Sequence, residues 1–160
     1  MENRKRYTAI VLAAGSGRRM QSDTPKQFME LCGHPLVYYS LYAFEKSPVD
    51  DIILVTGKDD VSYCRKEIVE ACDFRKVRAV IPGGKERYHS TLAALNVYKD
   101  EPCHLIIHDA VRLLVTSRII DHVIEALESH AACTAAIPST DTILQSDTSR
   151  QFVDNIPDRS

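Results

Sequence analysis

"AIVLAAGSGRRMQSDTPKQF", residues 9–28, runs from an apolar, β-branched stretch into a glycine-bearing turn, then two arginines, then a lysine behind a proline. The turn is not the dinucleotide fingerprint GxGxxG, because Met20 stands at the third glycine position, and it is not a GxxxxGK[ST] P-loop. It shares the property behind both motifs. Ala13, Ala14, Gly15 and Gly17 are small enough for backbone N–H groups to approach a phosphate or a base closely. Arg18 and Arg19 follow at a spacing suited to clamping a polyphosphate, and the planar guanidinium fork matches phosphate geometry. Lys26, stiffened by Pro25, places a point charge at a defined spot. The alternative is a tight strand–helix turn with solvated arginines.

Working outward, the same reading predicts the fold. Short apolar runs alternate with amphipathic ones, the pattern of a parallel sheet covered by helices. The strand candidates are residues 8–14, 51–56, 77–81, 104–108 and 133–138, apolar on both faces as doubly covered strands are. Helices are expected over 35–46, with Pro35 in the first turn, and over 59–72, 87–98 and 117–130. The last carries Ile119, Ile120, Val123, Ile124 and Leu127 on one stripe. Right-handed crossovers then give an open, doubly wound α/β sheet whose ligand lies beyond the carboxyl ends of the strands. After Pro138, "TDTILQ" and "QFVDNI" alternate polar and apolar residues around "SDTSR", which reads as an extended arm or hairpin. The expected organisation is a nucleotide-binding α/β domain over 1–138, incomplete at its C-terminal end, and part of a β-arm over 139–160.

Composition narrows the class. The chain has 160 residues, 44% apolar and 26% charged, with a net charge of −2, so nothing draws it as a whole to nucleic acid or to an anionic membrane. Residues 1–30 hold six Lys/Arg against three acids, a local excess of +3 that includes the charges of the glycine turn. Five cysteines (Cys32, Cys64, Cys72, Cys103, Cys133) are scattered and never spaced as CxxC, which reads as reduced structural thiols. The basic residues before residue 8 lead into a short strand rather than a signal peptide, and no segment is long enough to span a membrane. A cytoplasmic enzyme or binding protein is the class expected.

Two further loops carry chemistry. In "IPGGKERYHS", residues 81–90, two glycines follow a strand, and Arg87 and Ser90 fall in the first helical turn. Gly84 offers bare backbone, and the Ser90 hydroxyl can read a base edge. In "LIIHDAVR", residues 105–112, Asp109 directly follows a buried strand, a place suited to a Mg²⁺ or ribose ligand. His108 is either a catalytic base or a satisfied strand-end residue. His34, His89, His104, His122 and His130 lack partners at metal-ligand spacing and read as surface.

Together "LAAGSGRRM…PKQF", "PGGKERYHS", "IHDAVR", "DTI" and "IPDRS" resemble one family, the 2-C-methyl-D-erythritol 4-phosphate cytidylyltransferases. The resemblance covers nearly the whole chain. It implies a doubly wound, mostly parallel sheet of the nucleotide-diphospho-sugar transferase (Rossmann-like) type with an extended β-arm near the C-terminus. It also implies transfer of CMP from CTP to a polyol phosphate with Mg²⁺ present. The backbone of residues 13–17, with Gly84 and Ser90, would hold the triphosphate and cytosine. Arg87 would be a further substrate-binding residue. Arg19 and Lys26 would stabilise the α-phosphate, and Asp109, supported by Arg112, would sit near the metal and the sugar phosphate. The arm would build a homodimer and carry Thr142 and Arg159 to the partner's substrate.

Leu113 stands where the family has proline, a departure that touches no charge. The family also has later segments, so the chain reads as the first two-thirds of something longer. Two alternatives stay open: a ribitol-5-phosphate cytidylyltransferase, against which "LAAG" rather than "LAGG" at residues 12–15 counts, and a remnant that binds CTP or dimerises without activity.

Overall fold

The computed structural model describes residues 5–15, 24–99, 101–138, 140–142, 144–149 and 153–157. In chain order the elements are β1 (Tyr7–Ala13), a two-residue-strand hairpin of β2 (Glu30–Leu31) and β3 (His34–Pro35), α1 (Leu36–Glu45) and β4 (Asp51–Thr56). Next come α2 (Val61–Tyr63), continued by wider π-type turns over Cys64–Glu70, then β5 (Val77–Pro82), α3 (Arg87–Val97), β6 (His104–Asp109) and α4 (Ser117–Ser129). A separate antiparallel ribbon joins β7 (Gln145–Ser146) to β8 (Val153–Asn155).

β5, β4, β1 and β6 form one parallel sheet in that order, with Ile10 level with Ile53 on one side and Ile107 on the other. All six residues of β4 are buried, because it has neighbours at both edges and helices on both faces. Side-chain alternation divides the core. Ala9, Val11, Ile52 and Leu54 pack with Val37, Leu41 and Phe44 of α1, Cys64 and Ile68 beyond α2, and Ile120 and Leu127 of α4. On the other face Ile10, Ile53 and Val55 pack with Ala94 of α3 and Tyr98. The chain steps outward from β1 to β4 to β5, then returns to the far side of β1 as β6. That reversal creates a crevice at the carboxyl ends of β1 and β6.

The opposite edge is closed by polar side chains. Buried Asp51 accepts from Thr8 Oγ1 at 2.7 Å, from Tyr98 OH at 2.5 Å and from the Arg6 guanidinium. Glu101 accepts from Arg6 at 2.7 Å and from Arg78 at 2.8 Å, so the buried carboxylate sits in a satisfied network rather than alone. Beside it the Tyr7 hydroxyl donates to Glu128, at the end of α4, and the Tyr7 ring stacks on His104 at 5.2 Å. Burial, reinforced by Glu128, pushes the Tyr7 phenol up to about 12.

The predicted strands over 8–14, 51–56, 77–81 and 104–108 are found within one residue of their expected bounds, and the four helices likewise begin and end close to theirs. Residues 133–138 are different. They form no strand, and Ile137 is 88% exposed. A strand needs a partner edge as well as β-branched composition, and here a cleft of about 750 Å³ is lined both by β6 and by residues 133–135. Pro35 is the residue before α1 rather than within its first turn. Nor are His34, His89 and His104 simple surface residues. His34 stacks on Tyr38 at 4.0 Å, and the His89 ring accepts from Glu86 N–H in the cap of α3. Of the cysteines, Cys64 is buried against Thr56, whereas Cys32 and Cys133 are exposed. Among the described residues, no helix is long and apolar enough to cross a membrane.

Candidate functional site

Three loops meet at the carboxyl edge of the sheet. The first leaves β1 through Ala14 and Gly15. Ala13, the last residue of β1, is buried and lies level with Thr56, so only its main chain can serve a ligand. The second leaves β5, two strands away, and reaches the first only because Gly83 has no side chain. A Cβ there would lie 2.6 Å from Ala14 Cβ, 2.6 Å from Ser90 Oγ and 3.2 Å from Val55 Cγ1. Gly83 N–H donates to Thr56 O at 2.8 Å, which holds the loop over the end of β4. At Gly84 a Cβ would meet His89 Cβ at 2.3 Å, while its N–H donates to Ser90 Oγ at 3.2 Å. Ser90 is thus buried and serves first as the anchor of the double-glycine turn, with its own proton left to give.

The third loop follows β6. Asp109 Oδ1 accepts from Arg87 Nη2 at 2.9 Å, and Asp109 Oδ2 accepts from Arg112 Nε at 2.9 Å. Burial pushes the Asp109 carboxyl up, but the bonds and charges of Arg112 and Arg87 outweigh it and hold the group below the usual carboxylate range. His108 turns away from the edge. Its ring meets Phe44 edge-on at 5.3 Å and its Nε2 lies 3.3 Å from Ser40 Oγ, so it is placed as a strand-end residue. Burial pushes its imidazole below the usual range, against the pull of Asp109. The turn after Asp109 closes by Val115 N–H donating to Arg112 O at 3.3 Å, with Leu113 in the position where a proline would also fit.

Lys26 opens a single 3-10 turn, Lys26–Phe28, behind Pro25. Gln27 is buried and the Phe28 ring packs edge-on against Tyr63 at 5.3 Å, which fixes the turn beneath the lysine. Among the described residues no ion pair engages the Lys26 ammonium. Thr142 is exposed in the segment before the β7–β8 ribbon. Gly17, Arg19 and Arg159 lie outside the described residues. Among the described residues no cluster of three or more His, Cys, Asp or Glu could cage a metal. Asp109 alone fits Mg²⁺ in the way that ion commonly binds, through one carboxylate with the remaining positions filled by ligand phosphates and water. Each of its oxygens keeps a lone pair beyond its arginine.

The sequence presents Gly83 only as one of a glycine pair and gives Ser40 no role. A hydroxyl on the otherwise apolar stripe Val37, Leu41, Phe44 was the available signal for Ser40, and adjacency to Gly84 the signal for Gly83.

The model of the family described as 2-C-methyl-D-erythritol 4-phosphate cytidylyltransferase matches residues 7–160. The chain belongs to that family. It is similar to the 2-C-methyl-D-erythritol 4-phosphate cytidylyltransferase of Lachnoclostridium phytofermentans, 46% identical over 156 residues that cover 98% of this chain and 66% of the relative. The chain thus spans just under two-thirds of that relative's length. It is also 41% identical over 162 residues to the bifunctional ribulose 5-phosphate reductase/CDP-ribitol pyrophosphorylase of Haemophilus influenzae, covering 99% of this chain and 34% of the relative. The crystal structure of 4-diphosphocytidyl-2C-methyl-D-erythritol synthase from Anaerococcus prevotii superposes with a TM-score of 0.81 at 31% identity, over 97% of this chain and 64% of that one. The family's mostly parallel sheet with flanking helices is the fold described above.

Proposed function

We propose that this chain is the nucleotide-binding part of an enzyme that transfers CMP from CTP to 2-C-methyl-D-erythritol 4-phosphate and releases pyrophosphate. Family membership over residues 7–160 carries the reading, and the convergence of Ala14, Gly83–Ser90 and the Arg87–Asp109–Arg112 cluster at one sheet edge supports it. The acceptor phosphate is an anion at pH 7, so no general base is needed. One of its oxygens attacks the α-phosphorus of CTP, the bond to the β-phosphate oxygen breaks, and pyrophosphate carries away the charge. Catalysis is alignment of two anions and neutralisation of their repulsion.

The residues divide that work. The main-chain groups of residues 13–17 and of Gly84 would hold the phosphates, and the Ser90-anchored turn would read the cytosine edge. Lys26 and Arg19 stabilise charge at the α-phosphate. Arg87 and Arg112, held by Asp109, receive the acceptor phosphate. Asp109 would also hold Mg²⁺ arriving on the triphosphate, which when bound supplies charge neutralisation. Residues 1–138 form the nucleotide-binding domain, and 139–160 belong to an arm that pairs two copies and brings Thr142 and Arg159 to the partner's acceptor.

A second reading rests on the Haemophilus influenzae relative: the same transfer to ribitol 5-phosphate. Pyrophosphate release from CTP and Mg²⁺, measured with each polyol phosphate in turn, tests both. Release with 2-C-methyl-D-erythritol 4-phosphate is expected. Release with ribitol 5-phosphate alone selects the second reading, and release with neither sinks both for this chain.

A further inference from the structure

The Asp109 carboxylate is held by side chains that stand mostly in water, since those of Arg87 and Arg112 are 67% and 75% exposed. Contacts of that kind are screened and weak, so the main chain beneath Asp109 decides where its carboxylate points. That main chain is tied at three places. Ala110 N–H donates to Leu12 O at 3.0 Å, and Arg112 N–H donates to Asp109 O at 2.9 Å. The third tie comes from α1, where the fully buried Ser40 Oγ donates to Ala110 O at 2.8 Å. The same oxygen lies 3.3 Å from His108 Nε2. One hydroxyl therefore meets the residues on both sides of Asp109. Among the described residues it is the only side chain from another element bonded to the main chain of this turn, since Arg87 reaches only the Asp109 carboxylate.

A serine inside a helix commonly bonds a carbonyl of its own preceding turn. Ser40 instead spends its proton on a different element, at a site where Ala110 is buried and its carbonyl would otherwise lack this partner. We propose, resting on the reading of Asp109 as a ligand-facing carboxylate, that Ser40 is a positioning residue: by gripping His108 and Ala110 it sets Asp109 between Arg87 and Arg112, where the carboxylate orients the two arginines and faces the cation carried by the triphosphate.

Amide exchange and nucleotide binding, measured on the whole chain, test this together. In Ser40→Ala the Ala110 and Arg112 amides are expected to exchange about tenfold faster relative to those of β4. Ser40→Ala is also expected to weaken CTP binding in Mg²⁺ about tenfold when Asp109 is present, and less than about twofold in an Asp109→Asn background. Ser40→Cys, similar in volume but a weak donor, falls between the two and serves in its place should Ser40→Ala not fold. Equal losses in both backgrounds, or exchange rising alike in the turn and in β4, would show a purely stabilising role and overturn the proposal. Absence of CTP binding by the unsubstituted chain defeats the nucleotide reading, and the exchange result still decides whether Ser40 holds the turn.

Discussion

Arg87 Nη2 donates to Asp109 Oδ1 at 2.9 Å, joining the first residue of α3 to the last residue of β6 across 22 positions of sequence. The pair bridges the loop after β5 and the turn after β6, from the two outer strands of the sheet, across its carboxyl edge. Its side chains are 67% and 31% exposed, so it adds little to stability, about 0–1 kcal/mol. Removing it should therefore separate function from folding. Arg87→Ala is expected to leave the denaturation midpoint nearly unchanged and to lower turnover about tenfold or more. A large loss of stability with normal turnover would contradict this assignment.

Lys26 sits on a turn whose interior residues, Gln27 and Phe28, do the packing. Lys26→Ala should accordingly fold normally and lose about 100-fold or more in turnover, the cost typical of deleting one group that stabilises transition-state charge. Arg19→Ala is expected to behave alike in rate. Steady-state pyrophosphate release measures both, and near-normal rates would remove the proposed roles.

Gly83 is the point where two loops touch. In Gly83→Ala the new Cβ would lie 2.6 Å from Ala14 Cβ, an atom fixed to the backbone that cannot rotate aside. The loops must separate, at a cost of about 1–3 kcal/mol by analogy with other overpacked sites. A lowered urea midpoint together with weakened CTP binding is the expected result, and an unchanged midpoint would mean that the loop yields freely.

Tyr7 supplies a pH test at the opposite edge. Its phenol is pushed up to about 12 from 10.0, first by burial and then by Glu128. The folded state therefore keeps a proton that the unfolded chain releases between those values. This contribution is fully present below about pH 10 and is lost as pH rises toward 12. Denaturation midpoints measured at pH 9 and pH 11 should fall with pH, and the fall should shrink in Tyr7→Phe. An identical fall in the variant would assign the effect to other groups.

The ribbon of β7 and β8 exposes Leu144, Val153 and Ile156, each more than half exposed within the single chain. A two-stranded ribbon of this kind is marginal in water unless something covers it, and a second copy in a two-fold arrangement is the expected cover. Deleting residues 139–160 should abolish dimerisation in a light-scattering dilution series. A dimer that persists would withdraw the in-trans roles of Thr142 and Arg159.

Local chemistry made much of this protein legible from residues alone. Four apolar runs were legible as strands and the stripe through Ile120 and Leu127 as a buried helix face, because burial and period are written in the side chains themselves. Only β1 and β4 are covered on both faces, however, since β5 and β6 lie at the sheet edges and Ile107 is 46% exposed. The glycine loops, Arg87 and Asp109 stood out as candidates for a similar reason: bare backbone and forked cations suit phosphate, and a strand-end carboxylate suits a cation, wherever they are placed. Pairing was not legible. Residues 133–138 have strand composition, yet whether they join a sheet depends on an edge supplied from elsewhere, and no local property reports that. The same limit applies to Ser40 and Gly83. A mid-helix serine and one glycine of a pair look ordinary until the crossing of α1 over the Asp109 turn, and of the Gly83 loop over β4, brings each within bonding or clashing distance of a partner far away in sequence. The sequence by itself thus determined the strands and helices and offered candidate residues for a phosphate ligand. Only the tertiary structure decided which of them meet, because contact depends on how the strands are ordered and not on the residues each strand contains.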